Sequence, residues 1–102
     1  MTTVRLTCAQ ALVKFLAAQR GIVDGAEVPL FAGCWAIFGH GNVAAMGEAL
    51  HGAGDSLPTW RGQNEQAMAL AAIAYAKAMC RRRMMAVTSS IGPGATNMVT
   101  AA

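Results

Sequence analysis

Apolar positions change their spacing several times along the chain, and each change marks an element. From Thr7 onward, Ala9, Leu12, Val13, Leu16 and Ala17 recur at helical intervals and predict a first helix with one buried stripe. Thr7 and Gln10 stand at capping-box spacing, where each side chain satisfies a free backbone N–H of the other, and Gly21 ends the helix. Residues 22–34 carry Asp24-Gly25, Pro29 and Gly33 and read as a loop. Trp35-Ala36-Ile37-Phe38, closed by Gly39, is a short apolar run without alternation, the pattern of a strand buried on both faces.

A second helix is predicted from Val43 to Leu50, between glycines. Leu57-Pro58-Thr59-Trp60 holds a short strand that Pro58 confines to an edge or a strand start. Asn64 is placed to cap a third helix reaching about to Cys80. Lys77 is the one charge between Ala67 and Ala78, so this helix is expected to be packed on most sides, with Met68, Ala72, Tyr75 and Met79 as its larger-bodied stripe. Met84 to Thr88 predicts a second buried strand and Ser89-Ser90-Ile91-Gly92-Pro93-Gly94 a turn. A last helix begins near Ala95 and reaches Ala102 without a terminator, so the chain is expected to end within an element. This order predicts an α/β fold: a parallel sheet flanked by helices and joined by right-handed crossovers.

Composition sharpens the picture in one respect. A chain of 102 residues has room for one domain. Its residues are 55% hydrophobic and 13% charged, against about 25% charged in an ordinary domain. Some apolar surface is therefore expected to face another domain, another subunit or further chain. The net charge of +3 includes the run Arg81-Arg82-Arg83, which suits the negative end of the third helix. No basic stripe interleaved with aromatics argues for nucleic acid. Cys8, Cys34 and Cys80 are odd in number and lack metal-ligand spacing, which reads as free thiols in a reducing cytosol. The N-terminus has no signal-peptide core, and no run approaches the roughly 18 apolar residues of a membrane span. A cytoplasmic protein is expected.

In open parallel sheets, ligands bind beyond the carboxyl ends of the strands. Three segments have that address: Gly39-His40-Gly41-Asn42, Gly62-Gln63-Asn64-Glu65, and Ser89 to Asn97. Glu65 falls in the first turn of the third helix, where a carboxylate complements the positive helix end. The apolar helix around it also suggests a buried, functional start. Gly92-Pro93-Gly94-Ala95-Thr96-Asn97 can expose backbone N–H groups to an anion or can be a plain tight turn. No Gly-Lys-Ser/Thr follows, so it is not a P-loop. His40 has no second histidine or acidic cluster to complete a metal site. Ser89 and Ser90 lack a nucleophile elbow.

Taken in order, Phe38-Gly39-His40-Gly41-Asn42, then Asn64-Glu65-Gln66-Ala67 with Ala74-Tyr75-Ala76, then Gly92-Pro93-Gly94-Ala95-Thr96-Asn97 resemble the pyrimidine-binding domain of thiamine diphosphate enzymes. The match is to the acetohydroxyacid synthase and pyruvate decarboxylase group. The His-Gly-Asn turn and the Arg61-to-Lys77 segment look closest to its trihydroxycyclohexane-1,2-dione hydrolase branch, from inositol catabolism. Most of the group has Pro-Gly where this chain has His40-Gly41-Asn42.

The resemblance implies that residues 1–102 are a partial pyrimidine-binding domain. It implies that Glu65 hydrogen-bonds N1′ of the cofactor's aminopyrimidine and favours the imino tautomer, which takes the proton from C2 of the thiazolium. Gly92, Pro93 and Asn97 would line the pyrimidine side, and His40 and Asn42 would lie toward the substrate. The family holds the diphosphate and Mg²⁺ with a Gly-Asp-Gly motif in another domain, and Ala53-Gly54-Asp55-Ser56 does not supply one. The resemblance thus implies a fragment that is inactive alone and binds no cofactor tightly. The full-length enzyme would use thiamine diphosphate and Mg²⁺, act on a cyclic diketone and form a homo-oligomer, a dimer or tetramer. Three readings compete: a fragment of this hydrolase or of an acetohydroxyacid synthase-like enzyme, a non-catalytic anion-binding α/β module, and an assembly domain.

Overall fold

The computed structural model describes residues 2–39 and 41–102. Helix α1 (Cys8–Ala18) opens the fold with the expected capping box. The Gln10 N–H donates to the Thr7 hydroxyl at 3.2 Å, and the Thr7 N–H donates to the Gln10 side chain at 3.0 Å. Ala9, Val13, Leu16 and Ala17 turn inward as the spacing predicts, but Leu12 lies exposed beside Phe15.

The expected loop over residues 22–34 is instead a hairpin followed by the start of a strand. Strands β1 (Arg20–Val23) and β2 (Ala26–Pro29) pair antiparallel. Asp24 (φ 52°) and Gly25 (φ 81°) form the two-residue turn between them. Two positive φ values match the twist of the flanking strands, which is why Asp-Gly suits such a hairpin.

The main sheet has three parallel strands: β3 (Phe31–Ala36), β4 (Thr59–Arg61) and β5 (Met84–Thr88), in the order β4-β3-β5. The central strand begins and ends earlier than the apolar run Trp35–Phe38 predicts, because its register is set by pairing from Phe31↔Met84 to Ala36↔Thr88. β4 is an edge strand, as Pro58 requires, although the Pro58 carbonyl still accepts from the Cys34 N–H at 2.8 Å.

Side chains alternate across β3 and give the sheet two distinct faces. Cys34 and Ala36 join Val13, Ala49, Leu50 and Leu57 in the main buried core, under α1 and α2 (Glu48–Ala53). One π-helical turn, Val43–Gly47, leads into α2 where a single helix from Val43 to Leu50 is expected. Its Gly47 N–H reaches the Asn42 carbonyl at 2.9 Å.

On the other face, the Trp35 and Trp60 rings lie 6.3 Å apart. Helices α3 (Glu65–Ala78) and α4 (Pro93–Ala101) pack together there, and α3 also packs on β3 and β5. α4 starts earlier than Ala95, because Pro93 takes the first helical position, where its missing N–H costs nothing.

The stripe Met68, Ala72, Tyr75, Met79 faces inward on α3. The helix is not packed on most sides, however: Leu70 is 49% and Ile73 36% exposed. Among the described residues, one layer covers α3 and its back is left open. The molecule is correspondingly flat, 39 × 36 × 18 Å, with a radius of gyration of 14.2 Å against about 13 Å for a compact chain of 100 residues. Among the described residues, no helix is long and apolar enough to cross a membrane.

Candidate functional site

Because β3, β4 and β5 run in one direction, the turns that follow them open on one edge of the sheet. After β4, Asn64 adopts extended backbone and its side chain accepts the Ala67 N–H at 3.0 Å. This cap fixes where α3 begins and sets Glu65 in its first turn. After β5, the chain brings Ser90 back to the same place. The Ser90 hydroxyl donates to Oε2 of Glu65 at 3.2 Å, with both residues half-buried, and leaves Oε1 outside that bond.

Two glycines make this approach possible. A Cβ added at Gly94, in the first turn of α4, would overlap the Glu65 carboxylate and the Ser90 hydroxyl. A Cβ at Gly39 would lie 2.6 Å from the Ser90 Cβ. The starts of α3 and α4 therefore both lie beside one carboxylate, and a helix start favours negative charge. Asn42 ties in the first turn: its Nδ2 donates to the Thr88 hydroxyl at 3.3 Å and to the Ser89 carbonyl at 3.2 Å.

The structure thus brings Glu65 and Asn42 to one cluster, through Ser90, Ser89 and Thr88. Gly92 and Pro93 lie exposed at the mouth of α4, with the Gly92 carbonyl accepting from the Thr96 N–H at 2.9 Å and the Thr96 hydroxyl at 3.1 Å. Asn97 is half-buried on the next turn of α4. His40 lies outside the described residues. Open depressions lie elsewhere, one between α1 and α2 and one of about 480 Å³ beside Phe38, Leu50, His51 and Arg61; Glu65 lines neither.

Ser90 is the residue of this candidate site that sequence reasoning misses, since nothing local marks it as the donor to a carboxylate 25 positions away. The available signal was Gly94, a glycine one helical turn from a polar loop, which implies a close neighbour. Among the described residues no group of three His, Cys, Asp or Glu side chains could hold a metal. The three cysteines are free, and burial pushes the Cys34 thiol up to about 11.

No protein-family model matches the chain, and no solved structure matches it. Curated relatives do. The chain is 55% identical over 100 residues to the 3D-(3,5/4)-trihydroxycyclohexane-1,2-dione hydrolase of Shouchella clausii. It is 54% identical over 99 residues to the proteins of that name from Bacillus licheniformis and Bacillus subtilis. These matches take in 97–98% of the chain and 16% of each relative. Over nearly its whole length, then, the chain is similar to one stretch of the 3D-(3,5/4)-trihydroxycyclohexane-1,2-dione hydrolases, spanning 16% of the length of the curated relatives it matches.

Proposed function

We propose that this chain is the pyrimidine-holding part of a thiamine diphosphate-dependent enzyme that hydrolyses a C–C bond of trihydroxycyclohexane-1,2-dione, opening the ring in inositol degradation. The observation that carries this reading is the Glu65 carboxylate, held at Oε2 by Ser90 where three turns meet at the carboxyl edge of the sheet. The relatives' names supply the substrate.

The donor set fits an aminopyrimidine. A carboxyl group with one oxygen fastened can share a proton with a ring nitrogen through the other. Gly94 places bare backbone beside it, so no side chain there crowds the carboxyl group. When bound, the cofactor supplies an electron sink for cleavage next to a carbonyl. Glu65 would hold the proton at the pyrimidine nitrogen. Gly92, Pro93 and Asn97 would line that side of the ring, and Asn42 would lock the first turn to the third, toward the substrate.

No Gly-Asp-Gly occurs in the chain, so the diphosphate and Mg²⁺ would be held elsewhere in the longer protein. The isolated chain is then inactive and binds thiamine diphosphate weakly or not at all. The bare back of α3, with Leu70 and Ile73, suits a homo-oligomer, and the three free thiols suit the cytoplasm. The anion-binding alternative loses support because a carboxylate already lies beside the start of α4.

The test transplants this segment into the Bacillus subtilis hydrolase in place of the 99 residues it matches. Turnover should persist, and Glu65→Gln should lower kcat by about 100- to 10,000-fold with folding intact. Near-normal turnover in that variant contradicts the reading.

A further inference from the structure

Two serines follow β5, and they are used differently. Ser89 offers its backbone carbonyl to Asn42, whereas Ser90 turns its hydroxyl to Oε2 of Glu65. Ser90 also sits where side chains have been removed on two sides. Gly39 meets its Cβ and Gly94 meets its Oγ, and a Cβ on either glycine would collide with it. A polar loop residue whose task were only to face water would not need two glycines at van der Waals distance. This packing restrains Ser90 and, with it, the direction from which its proton reaches the carboxylate.

A glutamate has several rotatable bonds, and a half-buried one with no partner samples more than one orientation. A hydrogen bond to an ionised carboxylate is among the stronger ones a side chain can make. We propose that Ser90 is a positioning residue: it holds one oxygen of Glu65 so that the other is presented to the cofactor's pyrimidine. This rests on the cofactor reading of Glu65 and adds to it a residue 25 positions away, on another turn. Ser90 touches neither substrate nor reacting atoms in this role. It acts through Glu65 alone.

The experiment is a double-mutant cycle in the transplanted Bacillus subtilis hydrolase, using Ser90→Ala, Glu65→Gln and both together, with saturating thiamine diphosphate and Mg²⁺. Ser90→Ala should lower kcat by about ten- to hundredfold, the loss of one hydrogen bond to a charged group. It should leave the KM for the diketone unchanged and weaken thiamine diphosphate binding, read by fluorescence quenching, by about two- to tenfold. In the Glu65→Gln background the same change should have no further effect on residual turnover. An unchanged kcat in Ser90→Ala, with Glu65→Gln disabled, overturns the role of Ser90 and leaves that of Glu65. An equal fall in both backgrounds also overturns it, because Ser90 would then act independently of Glu65. Normal turnover in Glu65→Gln overturns both. If Ser90→Ala fails to fold, Ser90→Cys keeps the size with a weaker donor and is read by the same cycle, with a smaller fall in kcat expected.

Discussion

At the carboxyl ends of β3, β4 and β5, Asn42 donates to Thr88 and Ser89 and Ser90 donates to Glu65, in half-buried hydrogen bonds between residues 25 to 47 positions apart. At the amino ends, the β1–β2 hairpin and the arginine turn after α3 are also joined across the sequence, but on the surface. Arg82 meets Asp24 at 3.3 Å with the two side chains 50% and 87% exposed, and the Arg83 Nε donates to the Pro29 carbonyl at 2.9 Å. The first end excludes side chains, through Gly39 and Gly94, to bring polar groups into contact. The second takes left-handed conformations at Cys80 (φ 55°) and Arg81 (φ 60°), which favour glycine, to close α3, where the Arg81 N–H donates to the Ala76 carbonyl at 2.7 Å. One edge is restricted by contacts to a carboxylate, and the other only has to connect a helix to a strand.

Four perturbations test that contrast. The largest effect is expected from Gly94→Ala, whose methyl would displace Glu65 or Ser90. It should destabilise by roughly 1–3 kcal/mol and, in the transplanted hydrolase, lower kcat by about 100-fold or more, since the carboxylate loses its position. An active Gly94→Ala enzyme would mean the close approach is incidental.

The second acts on β3, from which both edges hang. Cys34 is 1% exposed, and burial raises its thiol from 9.0 to about 11. The folded state keeps the proton while the unfolded state loses it above pH about 9, so this contribution is complete below pH 9 and fades as pH climbs toward 11. Urea midpoints across that window should fall by an amount equivalent to roughly 2–3 kcal/mol, and Cys34→Ala should lack this component.

The third is Arg81→Gly, which should raise stability by about 0.5–1 kcal/mol by removing a left-handed non-glycine residue. Thermal unfolding checks it, and a loss would show that Arg81 makes a needed contact. The smallest is Asp24→Asn. An ion pair this exposed should contribute no more than about 0.5 kcal/mol, and turnover of the transplanted enzyme should not change.

What the sequence discloses about the fold follows from where each cause lies. The starts of α1 and α3 were legible because Thr7 and Asn64 cap them within three residues. The edge position of β4 is legible because Pro58 has no N–H to donate to a ladder. The hairpin at Asp24-Gly25 is not legible in the sequence, because its two strands are only four residues each, too short for a period to stand out beside the turn residues. The π-helical turn before α2 closes through the Gly47 N–H on the Asn42 carbonyl, a wider turn that the apolar spacing from Val43 to Leu50 does not distinguish from an α-helix. The inward stripe of α3 was read correctly, while its overall apolarity suggested a burial that this chain alone does not provide.

At the site, Glu65 could be found from the helix start it occupies. Its partner could not, because the approach of Ser90 requires the crossover that returns β5 beside β3. The hydrogen bonds from Asn42 to Thr88 and Ser89 have the same origin.

The most direct measurement is a crystal structure of the transplanted hydrolase with thiamine diphosphate bound. The free oxygen of Glu65 should lie within hydrogen-bonding reach, about 2.7–3.2 Å, of a ring nitrogen of the pyrimidine, with Ser90 still on the other oxygen. A cofactor seated away from residue 65, or a carboxylate pointing into bulk water, would contradict the account.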